Sequence, residues 1–239
     1  MASHLSVVGT SAVGEVSAAY SECRHRIEGL VLDLGDERAG ATPVPACPAW
    51  SVRDVLAHLT GVTTDALTGR LDGVGSDEWT RAQVESRRGC GVAGILAEWD
   101  ANAGRFEALL DEIGGAAHQA VADIVTHEQD LRGALGRPGA RTVAGLRIGL
   151  VYVATAFAAA AAERGLQVQA HATDVRLTVG SAQPDAAVTG TSFELLRAMT
   201  GRRSVPQLRE LRWTRGDPDL LVPAFTFGPF RPALHDITE

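Results

Sequence analysis

The sequence contains no lysine, so all 22 of its basic residues are arginine, against 29 acidic residues. A nucleic-acid-binding protein normally presents a basic surface to the phosphates, and here the formal net charge is −7. The charge therefore argues against nucleic-acid binding. The arginine-only composition, with abundant alanine, glycine and valine, indicates a GC-rich coding sequence and carries no direct information on the fold.

Cysteine is also scarce: Cys23, Cys47 and Cys90 include no closely spaced pair, which excludes a disulfide-rich scaffold. The N-terminal segment lacks the charged start and apolar core of a signal peptide, so we expect a cytoplasmic location. The most apolar stretch, 148–162, is short for a membrane span and rich in alanine, and it predicts a buried helix. The sequence has no phosphate loop, dinucleotide fingerprint or serine-hydrolase elbow.

Apolar residues recur at helical spacing through the first two thirds of the chain. Glycine and proline clusters separate these segments and predict where the helices end. A proline-rich connector over 35–48 is predicted to be extended. The predicted helices cover about 13–34, a segment beginning at 51, 78–87, 92–113, 116–135 and 142–164.

The start of the second helix is well defined by its residues. Ser51 is a good N-cap, and Asp54, three residues later, can complete a capping box with it. Trp50 is placed to pack onto Val55. In this phase His58 lies beside the apolar stripe of the helix, so we expect it to face a bundle interior.

After Gly165 the periodicity changes from helical to alternating. Segments 166–170 and 175–179 alternate apolar and polar residues, and 186–190 is a further short strand candidate. A helix follows, with Thr191 or Ser192 as its cap. The predicted fold class is α plus a small α+β region: a helical bundle in residues 1–165 and a small α/β domain in 166–239.

Three residues suggest a metal site. Asp123 and His127 stand four apart in a predicted helix, so their side chains leave the same face about one turn apart. With His58 they would give two imidazoles and one carboxylate, which suits zinc or another divalent metal and leaves a coordination position open. Asp130, one turn further on, would orient a ligand or pair with an arginine, and Glu128 points away from His127.

Simpler explanations exist for each of these residues. A single histidine on an apolar helix face is commonly a hydrogen-bonded core residue. An Asp–His pair at this spacing is common on helix surfaces. In favour of a metal, Asp123 has mainly apolar neighbours, where an unpaired carboxylate would cost several kcal/mol.

Three strings carry a family resemblance: PAWSVRDVLAHL at 48–59, DIVTHEQDLR at 123–132 and FELLRAMTGRR at 193–203. In this order and spacing they resemble the mycothiol-dependent maleylpyruvate isomerase family of actinobacteria. The resemblance implies a DinB-like up-and-down bundle followed by a small C-terminal α/β domain. It also implies a divalent metal, usually zinc, held by His58, Asp123 and His127. The isomerase itself has Glu-x-x-x-His, whereas this chain has the shorter Asp at 123.

The resemblance further implies mycothiol as the thiol cosubstrate and a small electrophile as substrate. An isomerase would add the thiol to a cis double bond, allow rotation and eliminate it, while an S-transferase would stop after addition. Arg202, after the helix of the second region, is the candidate catalytic residue that would clamp a carboxylate. The alternatives are a non-catalytic metal- and ligand-binding protein and a hydrolase that activates water. We expect a monomer or homodimer without membrane or nucleic-acid partners.

Overall fold

A computed structural model describes residues 14–239 of the chain. The chain divides into two compact units, and the division falls between Gly139 and Ala140. The described part is mostly helical, with a small four-stranded sheet in the C-terminal unit. The predicted fold class, a helical bundle followed by a small α/β region, is therefore confirmed.

The first unit is built around four long helices. α1 packs against α5 and α6, and α3 packs against the same two helices, so the four close a bundle. The elements of this unit are α1 (Glu15–Val31), α2 (Asp36–Ala41), β1 (Pro43–Val44), β2 (Cys47–Ser51), α3 (Val52–Thr68), α4 (Asp77–Ser86), α5 (Val92–Ile113), a 3-10 helix (Gly114–Ala117) and α6 (His118–Leu135). The helices follow the predicted segments closely; the predicted start at residue 13 lies outside the described residues.

Aromatic residues join α1 to α5 in the core of the bundle. Trp99 is fully buried, and its indole Nε1 donates a hydrogen bond of 3.1 Å to the hydroxyl of Tyr20. The ring of Tyr20 meets that of Phe106 edge to face, with centroids 5.0 Å apart. The indole N–H thus has a partner, as a buried polar group requires.

The connector before α3 follows its prediction in part. Its proline-containing part is extended as predicted and forms the antiparallel hairpin of β1 and β2, whereas 36–41 forms the short helix α2, which was not predicted. The helix is possible because 36–41 contains no proline, and the prolines begin at Pro43, after the helix has ended. The hairpin matters for the site, because β2 packs on α3 and β1 on α6.

The predicted start of α3 is confirmed in detail. The Ser51 hydroxyl accepts a 3.3 Å hydrogen bond from the backbone N–H of Asp54, and the Asp54 carboxylate accepts one of 2.9 Å from the Ser51 N–H. This capping box fixes the first turn of the helix. His58, in the second turn, is buried as predicted.

The second unit is a sheet with helices packed on it. The strand order is β4-β3-β5-β6; β3 and β5 are parallel, and the two outer pairs are antiparallel. Its elements are α7 (Ala144–Glu163), β3 (Val168–Ala172), β4 (Leu177–Gly180), β5 (Ala186–Gly190), α8 (Ser192–Met199), α9 (Val205–Glu210), β6 (Arg212–Arg215), α10 (Pro218–Leu221) and a 3-10 helix (Val222–Phe225). The sequence did not predict β6, α9 or α10.

Helix α7 belongs to the second unit, although its segment is part of the bundle predicted for residues 1–165. It packs against β3, β4 and α8. Its 20 residues make it longer than the apolar stretch 148–162 and, by length and composition alone, long enough to cross a membrane. However, 61% of its most apolar window is buried inside the fold, as a core helix requires. The predicted boundary between two domains at residue 165 stays a prediction.

Candidate metal centre

The two helices α3 and α6 bring His58, Asp123 and His127 together. The Nε2 atom of His58 lies 3.4 Å from Oδ2 of Asp123, and Nε2 of His127 lies 3.6 Å from Oδ1 of the same carboxylate. One donor atom from each residue lies within 4.8 Å of the other two. The structure thus places the three residues that the sequence selected in one cluster.

These distances match the donor set of a single ion. Two ligands bound to tetrahedral zinc at 2.0–2.1 Å stand roughly 3.3 Å apart. The observed separations of 3.4 and 3.6 Å are long for direct hydrogen bonds between imidazole and carboxylate. Two imidazole nitrogens and a carboxylate oxygen are also ligands that zinc accepts, and three protein ligands leave a fourth position. The residues therefore fit a divalent metal in both separation and chemistry.

Burial differs among the three side chains in a way that suits a reactive site. The imidazoles of His58 and His127 are only 4% and 9% exposed, whereas the Asp123 side chain is 33% exposed. Of the three side chains, the partly exposed Asp123 carboxylate is the one that solvent reaches most readily.

Each imidazole has an oxygen beside the ring nitrogen that faces away from the cluster. Nδ1 of His58 lies 2.7 Å from Oε1 of Gln83. Nδ1 of His127 lies 2.9 Å from Oδ2 of Asp130, although too obliquely for a regular hydrogen bond. Outer oxygens of this kind orient metal-binding histidines. Asp130 was predicted either to orient a ligand or to pair with an arginine, and it lies beside His127 of the cluster.

Two tryptophans line the histidines. The Trp50 ring lies 5.1 Å from the His58 ring and 5.9 Å from the His127 ring, centroid to centroid. Trp79 meets the His58 ring edge-on at 6.4 Å. From the sequence, Trp50 is predicted only to pack at the start of α3, and neither Trp79 nor Gln83 is selected. The available signal for Trp50 was its position directly before Ser51, the N-cap of the helix that carries His58.

Cys47, which was not among the predicted site residues, also lies near the cluster. The β1–β2 hairpin brings its Sγ to 3.5 Å from Oδ2 of Asp130. Cys47, His127 and Asp130 consequently form a second close group of metal-ligand types that shares His127 with the first. Spacing along the chain gives no sign of this, because the hairpin itself was not predicted.

Glu128 faces away from the cluster, in agreement with its exclusion from the ligand set. Its fully buried carboxylate accepts hydrogen bonds from Arg26 of α1 (2.8 and 2.9 Å) and from Arg132 of α6 (2.9 and 3.0 Å). Burial alone would raise the pKa of Glu128, but the hydrogen bonds from Arg26, Cys23 and Arg132 outweigh it and lower the pKa. Glu128 thus ties α1 to the helix that carries Asp123 and His127.

The arginines of the second unit differ in their contacts. The guanidinium of Arg203 pairs with the Glu194 carboxylate through two hydrogen bonds of 3.1 and 3.2 Å, and it lies over the Phe193 ring. Arg202 lies at the end of α8, where its Nη1 donates a 2.6 Å hydrogen bond to the Thr200 carbonyl. Arg203 is buried and Arg202 half-buried.

Comparison with known proteins identifies the family. The model of the mycothiol maleylpyruvate isomerase N-terminal domain matches residues 20–195, which is most of the chain. The protein therefore belongs to this family, whose namesake is a mycothiol-dependent isomerase. No curated protein matches the sequence.

Two crystal structures share the fold. One is a histidine-to-alanine mutant of the mycothiol-dependent maleylpyruvate isomerase, with 11% identity and a TM-score of 0.58. The other is the mycothiol-dependent maleylpyruvate isomerase, with 12% identity and a TM-score of 0.52. Each match covers 82% of this chain and 92% of the other chain. At such low identity the likeness concerns the fold alone.

Proposed function

We propose that the protein is a cytoplasmic, metal-dependent enzyme that adds mycothiol to a small electrophilic substrate, as an isomerase or as a thiol S-transferase. The observation that carries this proposal is the convergence of His58, Asp123 and His127 within 4.8 Å, in a chain of the maleylpyruvate isomerase family. Fold and family alone would not establish this function, since one fold hosts many functions. The three metal-ligand side chains add the reason to expect metal-dependent chemistry.

His58, Asp123 and His127 would hold the metal, zinc being the ion that this donor set suits best. When bound, such an ion supplies a Lewis acid that lowers the pKa of a coordinated thiol, so that the thiolate predominates at neutral pH. The partly exposed side at Asp123 gives the thiol and the electrophile access. Trp50 packs against both imidazoles.

The two candidate activities share their first step. The thiolate sulfur forms a bond to the electrophilic carbon of a conjugated double bond, and the electron pair moves to the carbonyl oxygen. In an isomerase the resulting single bond rotates, the electron pair returns, and the carbon–sulfur bond breaks to release the thiol unchanged. In an S-transferase a proton is taken up at carbon, and the thioether is the product.

Arg202 is our proposed catalytic residue for carboxylate recognition. A guanidinium binds a carboxylate through two parallel hydrogen bonds, and maleylpyruvate carries carboxylates. The neighbouring Arg203 makes such a bidentate pair with Glu194. Replacing Arg202 by methionine should raise KM for the carboxylate substrate and leave metal content unchanged. The exposed Arg212 of β6, replaced in the same way, is the control.

The test uses the cobalt-substituted protein, whose visible spectrum reports the ligands of the ion. We expect mycothiol to change this spectrum and S-methylated mycothiol, which cannot form a thiolate, to leave it unchanged. An unchanged spectrum at saturating mycothiol would refute thiol activation at this site. Isomerisation of maleylpyruvate, lost on metal chelation, would identify the isomerase, whereas thioether formation with other electrophiles would identify the transferase.

A further inference from the structure

A chain of hydrogen bonds leads from His58 to the surface of the first unit. Oε1 of Gln83 lies 2.7 Å from Nδ1 of His58, and Nε2 of Gln83 donates a 2.8 Å hydrogen bond to Oδ2 of Asp65. Oδ1 of Asp65 accepts a 3.0 Å hydrogen bond from Nε of Arg70. His58, Gln83 and Asp65 are buried, and Arg70 is exposed.

The order of donors and acceptors in this chain leaves one consistent arrangement. The Asp65 carboxylate, paired with Arg70, can only accept, so the Gln83 amide must turn its NH₂ group towards Asp65. Its carbonyl oxygen then faces His58 and can also only accept. Nδ1 of His58 must therefore carry the proton, and the lone pair resides on Nε2. Nε2 is the atom that lies 3.4 Å from Asp123.

The packing of α3 on α4 brings Gln83 into this position. At Gly61, three residues after His58, an added Cβ would lie 2.5 Å from Cβ and 2.6 Å from Cγ of Gln83. Real Cβ atoms essentially never approach so closely, so only glycine allows α4 to pack here. The absence of a side chain at Gly61 therefore lets Gln83 reach Nδ1 of His58.

We propose that Gln83 is a positioning residue that holds His58 in the Nδ1–H tautomer with its Nε2 lone pair directed at the metal position. Asp65 sets the orientation of the Gln83 amide. This inference rests on the proposed function, because the lone pair matters only if His58 binds a metal. A purely structural role for Gln83 would affect stability without selecting a tautomer.

The first experiment measures the tautomer of His58 in the metal-free protein. Long-range ¹⁵N–¹H correlation spectra distinguish Nδ1–H from Nε2–H imidazole, and His58→Ala assigns the signal. At about pH 8, above the ordinary histidine pKa, the wild type should show Nδ1–H. Gln83→Leu should move His58 towards Nε2–H, the form that predominates in water. An unchanged tautomer in Gln83→Leu would overturn the proposal.

The second experiment measures metal affinity by competition with a chromophoric chelator. Gln83→Leu should raise the zinc dissociation constant about ten- to a hundredfold, the usual effect of losing an outer partner. Gln129→Leu is the matched control: this buried glutamine of α6 donates a 3.2 Å hydrogen bond to the Gly139 carbonyl. Equal dissociation constants for the Gln83 and Gln129 variants would also overturn the proposal.

Two variants of Asp65 keep the test valid if Gln83→Leu does not fold. Asp65→Glu retains a carboxylate that can only accept from Gln83 and should keep the Nδ1–H tautomer, whereas Asp65→Leu should lose it. The same tautomer in both variants would contradict the proposed role of Asp65. The tautomer is read without metal, so a wild type that binds no zinc would refute the proposed function and leave the tautomer result to be judged separately.

Discussion

His58 of α3 and Asp123 of α6 approach with Nε2 and Oδ2 3.4 Å apart. Two donors of one tetrahedral zinc ion stand roughly 3.3 Å apart, so the pair already has the separation that a shared ion requires. The same carboxylate lies 3.6 Å from His127 through its other oxygen. Asp123 therefore stands between the two imidazoles, and the first predictions concern these three residues.

Removing either histidine should abolish metal binding. We expect about one divalent ion per wild-type chain and near-complete loss in His58→Ala and His127→Ala, because two remaining ligands hold zinc weakly. Metal analysis of the purified proteins measures this. The control is His171→Ala, which removes an exposed histidine on β3. Full metal occupancy in both cluster variants would refute the site.

The length and the charge of the side chain at position 123 should affect metal affinity separately. Asp123→Glu keeps the carboxylate on a side chain one methylene longer, the residue type that the family resemblance implies at this position, and it should retain a full complement of metal. Asp123→Asn keeps the size of the side chain but removes the charge that offsets the cation, so its metal affinity should fall by at least tenfold. Chelator competition on the three proteins compares their dissociation constants. Asparagine binding as tightly as aspartate would show that the carboxylate is not a ligand.

Part of the candidate cluster could be predicted because the information for that part is local. A four-residue spacing places Asp123 and His127 on one helix face, and the Ser51–Asp54 capping box fixes the phase of α3 and thus the direction of His58. Whether His58 and Asp123 meet depends on how two distant helices pack, which no periodicity encodes. The three sequence segments that resemble the family were the basis for expecting the two helices to meet.

The surroundings of the cluster could not be predicted in the same way. Gln83 reaches His58 only because Gly61 lets α4 pack closely on α3, and Cys47 reaches Asp130 only through an unpredicted hairpin. Both are contacts between separate elements. Similarly, the apolar pattern of α7 showed that it is buried, but not that it packs on the sheet.

Gly61→Ala should destabilise the first unit even though alanine is the better helix former. The added Cβ would lie 2.5 Å from Gln83 Cβ, and separating α3 from α4 should cost about 1–3 kcal/mol, more than the helix propensity returns. Gly29 of α1 provides the control, since nothing lies within 4 Å of a Cβ there. Gly29→Ala should stabilise by about 0.5–1 kcal/mol.

Urea unfolding of the two glycine variants gives both changes in the free energy of unfolding. Changes of opposite sign would agree with close packing at Gly61 and open space at Gly29. A Gly61→Ala protein at least as stable as the wild type would contradict the contact between α3 and Gln83. It would also weaken the case for Gln83 as the partner of His58.

The cysteines should differ widely in their reactivity. Cys90 is exposed, whereas Cys23 is fully buried and its thiol donates a 2.9 Å hydrogen bond to Glu128. Burial, followed by the negative charge of Glu128, raises the pKa of Cys23 well above its ordinary value. A raised pKa lowers the thiolate fraction of Cys23 at neutral pH, and burial keeps the reagent away from its sulfur. In the native protein at neutral pH we expect Cys23 to react with iodoacetamide on the order of a hundredfold more slowly than Cys90.

Mass-spectrometric peptide mapping over time measures both rates, and in guanidinium the two should become similar. Comparable native rates would show that Cys23 is not sealed between α1 and α6, and that the buried Glu128 pairing does not hold α6 in place.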